Sequence, residues 1–398
     1  MKKNGNRKFI PLIVLLAVLV ISGVAVGILA ATGNLSFSGE EKHQEEAKNP
    51  EQEEAERLAE LLKHAKEVTD IETLRELLLL EQELEIVVTK DLTVSEALLV
   101  RGDKTLYGNA TLSADMRVTK TFQMLEVTKG ASLTMDGLIL DANCNADGIQ
   151  VDEGGKLTYL SGEIIYAMYY GINVNGYAKI ENVTIRKPML AAVCANYGSE
   201  VYVEGGQYLD SYNLIMYVEG QGYLKVSGDA LLSGSRTMGI RNRGTLEMSG
   251  GTIANTAKAA INNHGTCNIA YEGTDADGKI EFVNIGSVGI YNQDGATVTA
   301  KDIYAHDVKA HFANSVGGTV SISDSVVEDV KYHVFYVSAG EMNISNVKAE
   351  RAGACGAYVL YPGKLSMEHV SFTDMKTRGI MAVGGEAKGN DVTITNAG

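Results

Sequence analysis

The chain has 398 residues and a formal net charge of -15, with 43 Gly, 4 Pro, 19 Tyr and no Trp. An acidic balance of this size excludes a nucleic-acid backbone as partner, which needs a basic stripe to displace counterions, and it disfavours anionic membrane surfaces. Abundant glycine with scarce proline suits many short strands joined by turns.

Residues 1–8 carry Lys2, Lys3, Arg7 and Lys8 and read as a basic cytoplasmic tail. The apolar run Phe9 to Ala31 follows; at a rise of about 1.5 Å per residue it would span roughly 34 Å, enough for a hydrocarbon core of about 30 Å. The expectation is a transmembrane signal-anchor at 9–31 and a single-pass membrane protein whose remainder is extracytoplasmic, or a secreted protein if the segment is cleaved near Ala30 and Ala31. Residues 32–57 are an acidic spacer. After Pro50, the residues Leu58, Leu61, Leu62, Ala65 and Val68 make an apolar stripe at helical spacing. Thr69 and Glu72 then spell a capping box ahead of Ile71, Leu74, Leu77 and Leu78. Residues 58–85 are therefore expected to form a helical stalk and an N-terminal cap, closing strand edges that would otherwise stand open.

From Ile86 the pattern alternates as strands do, and from Gly130 a repeat is visible. Turn glycines recur at Gly130, Gly155, Gly176, Gly198, Gly222, Gly244, Gly265, Gly295, Gly318, Gly340, Gly363 and Gly385, a period of about 22 residues. A strand period of this length without helical stretches indicates a β-solenoid. Apolar residues ahead of the glycines (Ile149, Ile172, Val193, Met216, Ile240, Ile261, Ile290, Phe312, Phe335, Tyr358, Ile380) should stack into one internal row. Two residues on, Asn242, Asn263, Asn292 and Asn314 occupy one inward slot in four successive coils, where stacked amides can satisfy one another.

That asparagine ladder, the period and the turn glycines resemble the right-handed parallel β-helix, or pectin-lyase-like, superfamily over residues 86–398. The resemblance implies an all-β solenoid with a right-handed coil and admits polysaccharide lyases and glycoside hydrolases as relatives. The last coil stops partway through a period at Asn396, Ala397 and Gly398, so the chain is expected to continue.

The outward slots beside the inward row carry their densest polar and aromatic chemistry at Tyr217, Glu219, Arg241, Arg243, Asn262, His264, Tyr291 and Gln293. Aromatic rings beside planar hydrogen-bonding groups suit a glycan-binding face. Hydrolysis needs paired carboxylates, and only Glu219 is acidic there. Asn145 to Gly148 resembles a polygalacturonase motif, but its partner motifs are missing, so Asp147 reads as a turn residue. His311 and His333 differ by one residue in register and are expected on opposite faces, which leaves no metal site. Arg101, Gly102 and Asp103 spell an integrin tripeptide, read as a chance match at a strand turn. Cys144, Cys194, Cys267 and Cys355 each lie at least a coil apart and are expected to be free thiols, with Cys267 inward and Cys194 outward, where an exposed thiol would react.

The sequence thus points to a non-enzymatic cell-surface solenoid acting in adhesion or polysaccharide binding, with no catalytic residues and no cofactor. Its expected partners are the membrane, through 9–31, and a polysaccharide or host glycoprotein. The alternatives are an extracellular lyase or glycoside hydrolase of the superfamily, and a structural spacer.

Overall fold

Each coil contributes strands to three parallel sheets in the computed structural model, which describes residues 56, 57, 59–275 and 278–398. Sheet 1 stacks strands such as Ala191–Ala195, Leu214–Val218, Met238–Asn242, Ile261–Asn263 and Ile290–Asn292. Sheet 2 includes Tyr223–Ser227, Thr245–Met248, Thr266–Ile269 and Thr297–Lys301, and sheet 3 includes Leu231–Ser233, Thr252–Ala254, Ile280–Ile285 and Ile303–Val308. The result is a right-handed parallel solenoid of about 14 turns with about 23 residues per turn.

Alternation places one side chain in two inside. In Tyr223–Ser227 only Leu224 and Val226 are buried, and the same pattern recurs along sheet 2. Side chains of one coil then rest on those of the next, as in the internal row Phe282, Phe312, Phe335 and Phe372, whose ring centroids are 6.1–6.5 Å apart. Two kinds of corner make the coil close. At the end of sheet 3, Asn255, Asn284, Asp307, Asp329 and Asp374 adopt left-handed backbone with φ of 52–58°, a conformation their short side chains tolerate. Between sheets 1 and 2 the chain packs on the coil before it: a Cβ on Gly244 would stand 2.2 Å from the Gly222 carbonyl oxygen, so only glycine fits.

The N-terminal region differs from the expected stalk. Lys66–Val68 is a strand that pairs with Leu84–Val88, so the apolar stripe ends in the first rung, where Val68 is fully buried, and does not continue as a helix. Helix α1 (Ile71–Leu78) is capped by Asp70, which accepts from Thr73 N at 2.9 Å, one residue later than the Thr69 box predicts. Leu74 and Leu78 join the core, and α1 packs on Lys66–Val68, Leu92–Val94 and Leu98–Val100 as a lid on the first coils. Among the described residues no helix is long and apolar enough to cross a membrane. The expected transmembrane helix and single-pass placement are corrected on that ground; segment 9–31, on which they rested, lies outside the described residues with the basic tail and nearly all of the spacer.

The expected register matches the observed pairs from Ile149 through Ile172, Val193, Met216, Ile240 and Ile261 to Ile290, and then slips. Ala313, not Phe312, pairs with Ile290, so Ser315 follows Asn292 on the inside and Asn314 points outward beside Tyr291. Phe312 and Ala313 are both buried where the chain enters sheet 1, which breaks strict alternation. Phe335 keeps its expected slot; two coils on from Ala313, Ala357 takes the slot expected of Tyr358, which stands outside against Tyr336, and Ile380 returns to the row.

Candidate functional site

Asn242, Asn263 and Asn292 form the base of the site. Asn242 Nδ2 donates to Asn263 Oδ1 at 2.7 Å, and Asn263 Nδ2 donates to Asn292 Oδ1 at 2.9 Å. Asn292 closes the run by donating to the carbonyls of Ala296 and Gly317, both at 3.1 Å. The amides also bind the turn backbone, as when Gly244 N donates to Asn242 Oδ1 at 3.1 Å. The corner following sheet 1 is thereby fixed identically in successive coils, and the side chains on either side of each asparagine are held in rows. The predicted fourth member, Asn314, is corrected to an outward position, and its Oδ1 is buried without a partner.

Above this base, Tyr217, Arg241, Asn262 and Tyr291 are Cα partners on four consecutive rungs. Glu219, Arg243, His264 and Gln293 form the next outward row, at the turn. All eight residues singled out in the sequence thus lie on one face of sheet 1. Tyr217 donates its hydroxyl to Glu219 Oε1 at 2.6 Å, and the other oxygen of Glu219 lies 3.9 Å from Arg243. Asn262 donates to Met238 Sδ at 3.4 Å and accepts from Gln293 Nε2 at 3.3 Å, so these two amides are mutually engaged. The Arg241 guanidinium lies over the Tyr217 ring, 5.9 Å from its centroid, and its Nε is buried without a partner. No described carboxylate forms an ion pair with Arg241. Burial, with the Arg241 and Arg243 charges, holds the His264 imidazole below its ordinary pKa, so it is neutral near pH 7.

The arrangement concentrates positive charge on an acidic protein and supplies a single carboxylate, already bound to a tyrosine. It can recognise an anion; it has no second carboxylate for acid–base cleavage. Asp147 is buried and accepts from the backbone N–H groups of Tyr169 and Tyr170 at 2.6 and 3.0 Å, which ties one coil to the next.

Two groupings were not anticipated. His311 and His333 share a face: their rings are 5.4 Å apart and 3° from parallel, within an array in which His333 stacks on Tyr358 and Tyr336 lies parallel to Tyr358 at 5.7 Å. The expected opposite facing rested on the slipped register. On sheet 3, Glu328 and Glu350 are Cα partners, and Arg351 binds both, with contacts of 2.7 and 2.9 Å, as well as Asp329 at 2.8 Å. Tyr304 donates to Glu328 at 3.3 Å. In the sequence Glu328-Asp329 and Glu350-Arg351 stand one period apart, outside the slots that flank the inward row of sheet 1. One guanidinium pairs with all three carboxylates, and Arg351 holds Asp329 below the usual carboxylate range.

No protein-family model and no curated protein matches the chain. Among solved structures it is similar to the catalytic domain of a GH87 α-1,3-glucanase, at 12% identity over 83% of this chain and 68% of that one, with a TM-score of 0.46. It is also similar to PfbA, a surface adhesin of Streptococcus pneumoniae (10% identity, 82% and 87% coverage, TM-score 0.30). A third is the alginate lyase AlyF-OU02 (9% identity, 81% and 84% coverage, TM-score 0.28). At these identities the likeness concerns the fold alone. The class defined by fold and pairing is a right-handed parallel β-solenoid, and a fold of this kind does not by itself assign a function.

Proposed function

We propose that the chain is a non-catalytic binding solenoid that holds an extended glycan bearing carboxylate or sulfate groups along the Tyr217 to Gln293 face of sheet 1. The observation that carries this is Arg241: a half-buried guanidinium with no carboxylate partner, next to a second guanidinium, in a protein of net charge -15. A planar guanidinium recognises a carboxylate or sulfate through paired donors, and Tyr217 and Tyr291 offer ring surface beside it. Parallel rungs about 4.8 Å apart present these groups at a spacing comparable to the length of one sugar unit, so a polymer can lie along several coils.

The full-length chain applied to an array of polygalacturonate, alginate, hyaluronan and their neutral or esterified counterparts should bind the acidic forms. Binding should weaken at 0.5 M salt and fall at least tenfold in Arg241→Gln, with Arg241→Lys intermediate. Equal binding of neutral and acidic forms would remove the proposal. New reducing or unsaturated ends, lost in Glu219→Gln, would replace it with a catalytic reading.

A further inference from the structure

Beyond the charged face on sheet 1, we infer that sheet 2 carries a second, chemically different binding surface: an uncharged row of hydroxyl and amide groups that takes a neutral extended polysaccharide lying along the solenoid axis.

The surface begins where the outward chemistry of sheet 2 changes. In the earlier coils Tyr177, Lys179, Tyr202, Lys225 and Glu247 stand outside, partnered by one another and by neighbouring acids; Tyr223 donates to Glu247 at 2.8 Å. From the next coil on, Asn268, Thr299, Ser321, Asn343 and Ser366 are Cα partners on five successive rungs without a charge among them. A threonine row runs beside them through Thr266, Thr297 and Thr319. Asn268, Thr299, Asn343 and Ser366 are exposed and Ser321 half-exposed, and none of the five side chains has a partner within the protein. Thr299, Ser321, Asn343 and Ser366 line a shallow groove of about 630 Å³, with Lys301 and Glu368 at its edge.

The backbone under this row is unusually well fixed. The internal asparagines donate to it from below: Asn242 Nδ2 to Thr266 O at 2.8 Å, and Asn263 Nδ2 to Thr297 O at 3.0 Å. The same ladder that orders sheet 1 therefore holds the threonine carbonyls of sheet 2 in register. The exposed groups cost little further ordering on binding, since serine and threonine side chains are short and their backbone is already rigid.

The occupant follows from three properties. Every hydroxyl is both donor and acceptor, so the row can match a ligand rich in hydroxyls in either sense. The groups repeat at the rung spacing of about 4.8 Å over five coils, which suits a polymer with a repeat of similar length; a folded protein partner has no such repeat. The row itself holds no cation, the flanking Lys301 and Lys364 are paired with Asp302 and Glu341, and the protein's negative field opposes the approach of an acidic polymer. A neutral, extended glycan chain meets all three.

The test is retention of the full-length chain on insoluble cellulose, chitin and mannan, with soluble polygalacturonate binding followed in parallel. Native protein should be retained on at least one neutral polymer. Ser321→Glu and Thr299→Glu, at exposed or half-exposed positions that leave the core untouched, should each reduce retention at least fivefold with unchanged thermal midpoint and unchanged polygalacturonate binding. Arg241→Gln should show the opposite pattern, which separates this surface from that of sheet 1. Absence of retention on all three polymers, or retention unaffected by both glutamate variants, would overturn the inference.

Discussion

Cys194 lies on the outside of its strand by register yet is 1% exposed, because the larger rung neighbours Asn173 and Tyr217 stand on either side of it. Its thiol donates to Asn196 Oδ1 at 3.3 Å, and burial pushes its pKa up to about 12. Outward in register is therefore not the same as accessible, and the reactive-thiol expectation shifts to Cys144, the exposed one of the four free cysteines. Brief treatment of native protein with iodoacetamide at pH 8 should modify Cys144 alone by peptide mass spectrometry; Cys194, Cys267 and Cys355 should react only after unfolding. Modification of Cys194 at the same rate as Cys144 would show that the covering side chains move aside. A second residue-scale consequence concerns His333. Its Nδ1 accepts from Cys355 N at 3.2 Å, which requires a neutral ring, and burial followed by the His311 charge lowers its pKa to about 4. Above pH about 6.5 folded and unfolded chains are both neutral at this position. As pH falls from there towards about 4, only the unfolded chain takes the proton, so the folded state loses stability across that window. After allowance for the screening of a half-buried ring, the loss is on the order of 1 kcal/mol. Urea midpoints at pH 7.5, 5.5 and 4.5 should fall more steeply for native protein than for His333→Gln; parallel slopes would mean that the ring titrates normally.

Coils differ in how far their sequences declared their register. Between Ile149 and Ile290 pattern and structure agree on the inward slot, even in Ala191–Ala195 and Leu214–Val218, where neighbouring apolar residues are also buried. At His311-Phe312-Ala313 two adjacent apolar residues are both buried, one at the corner and one on the strand, and at Ala357-Tyr358-Val359 the small residues turn in while the large ring turns out. Choosing the larger residue fails when the interior has room only for alanine and an outward aromatic stack is available to the tyrosine. The slip moved Asn314 into the ladder and the histidines apart; both errors have one cause. A paired substitution tests the corrected ladder. Asn263→Ala removes the acceptor for Asn242 and the donor to Asn292, Gly265 and Thr297, leaving buried polar groups unmatched, and should cost about 2–4 kcal/mol. Asn314→Ala should change stability by less than about 0.5 kcal/mol, since its Oδ1 has no partner to lose. Comparable losses from the two variants in chemical denaturation would restore Asn314 to the ladder.

At the scale of the whole solenoid, each strand pairs only with its counterparts in the coils before and after, so stability is passed from neighbour to neighbour and is not shared by a common centre. The period and the turn glycines made this architecture legible in the sequence, whereas the face bearing the Glu328, Glu350 and Arg351 network was not, because charge partners one coil apart become visible only when the third sheet is in register. Neighbour-only coupling has a measurable form. Phe312 is fully buried between Phe282 and Phe335, and its replacement by alanine should cost about 3–5 kcal/mol by leaving a cavity within the aromatic row. In a protein with one shared core, such a loss would lower protection from hydrogen exchange everywhere. In this chain the loss should be confined to the coils that touch the cavity, with faster exchange in peptides covering Ile280–Ile285, Ala313–Ser323 and Phe335–Ser345. Peptides from Tyr170–Val174 and Ala191–Ala195, several coils away, should exchange as in native protein. Uniform acceleration along the chain would show that the coils unfold as one cooperative unit, and that binding at either face could then be felt at the other.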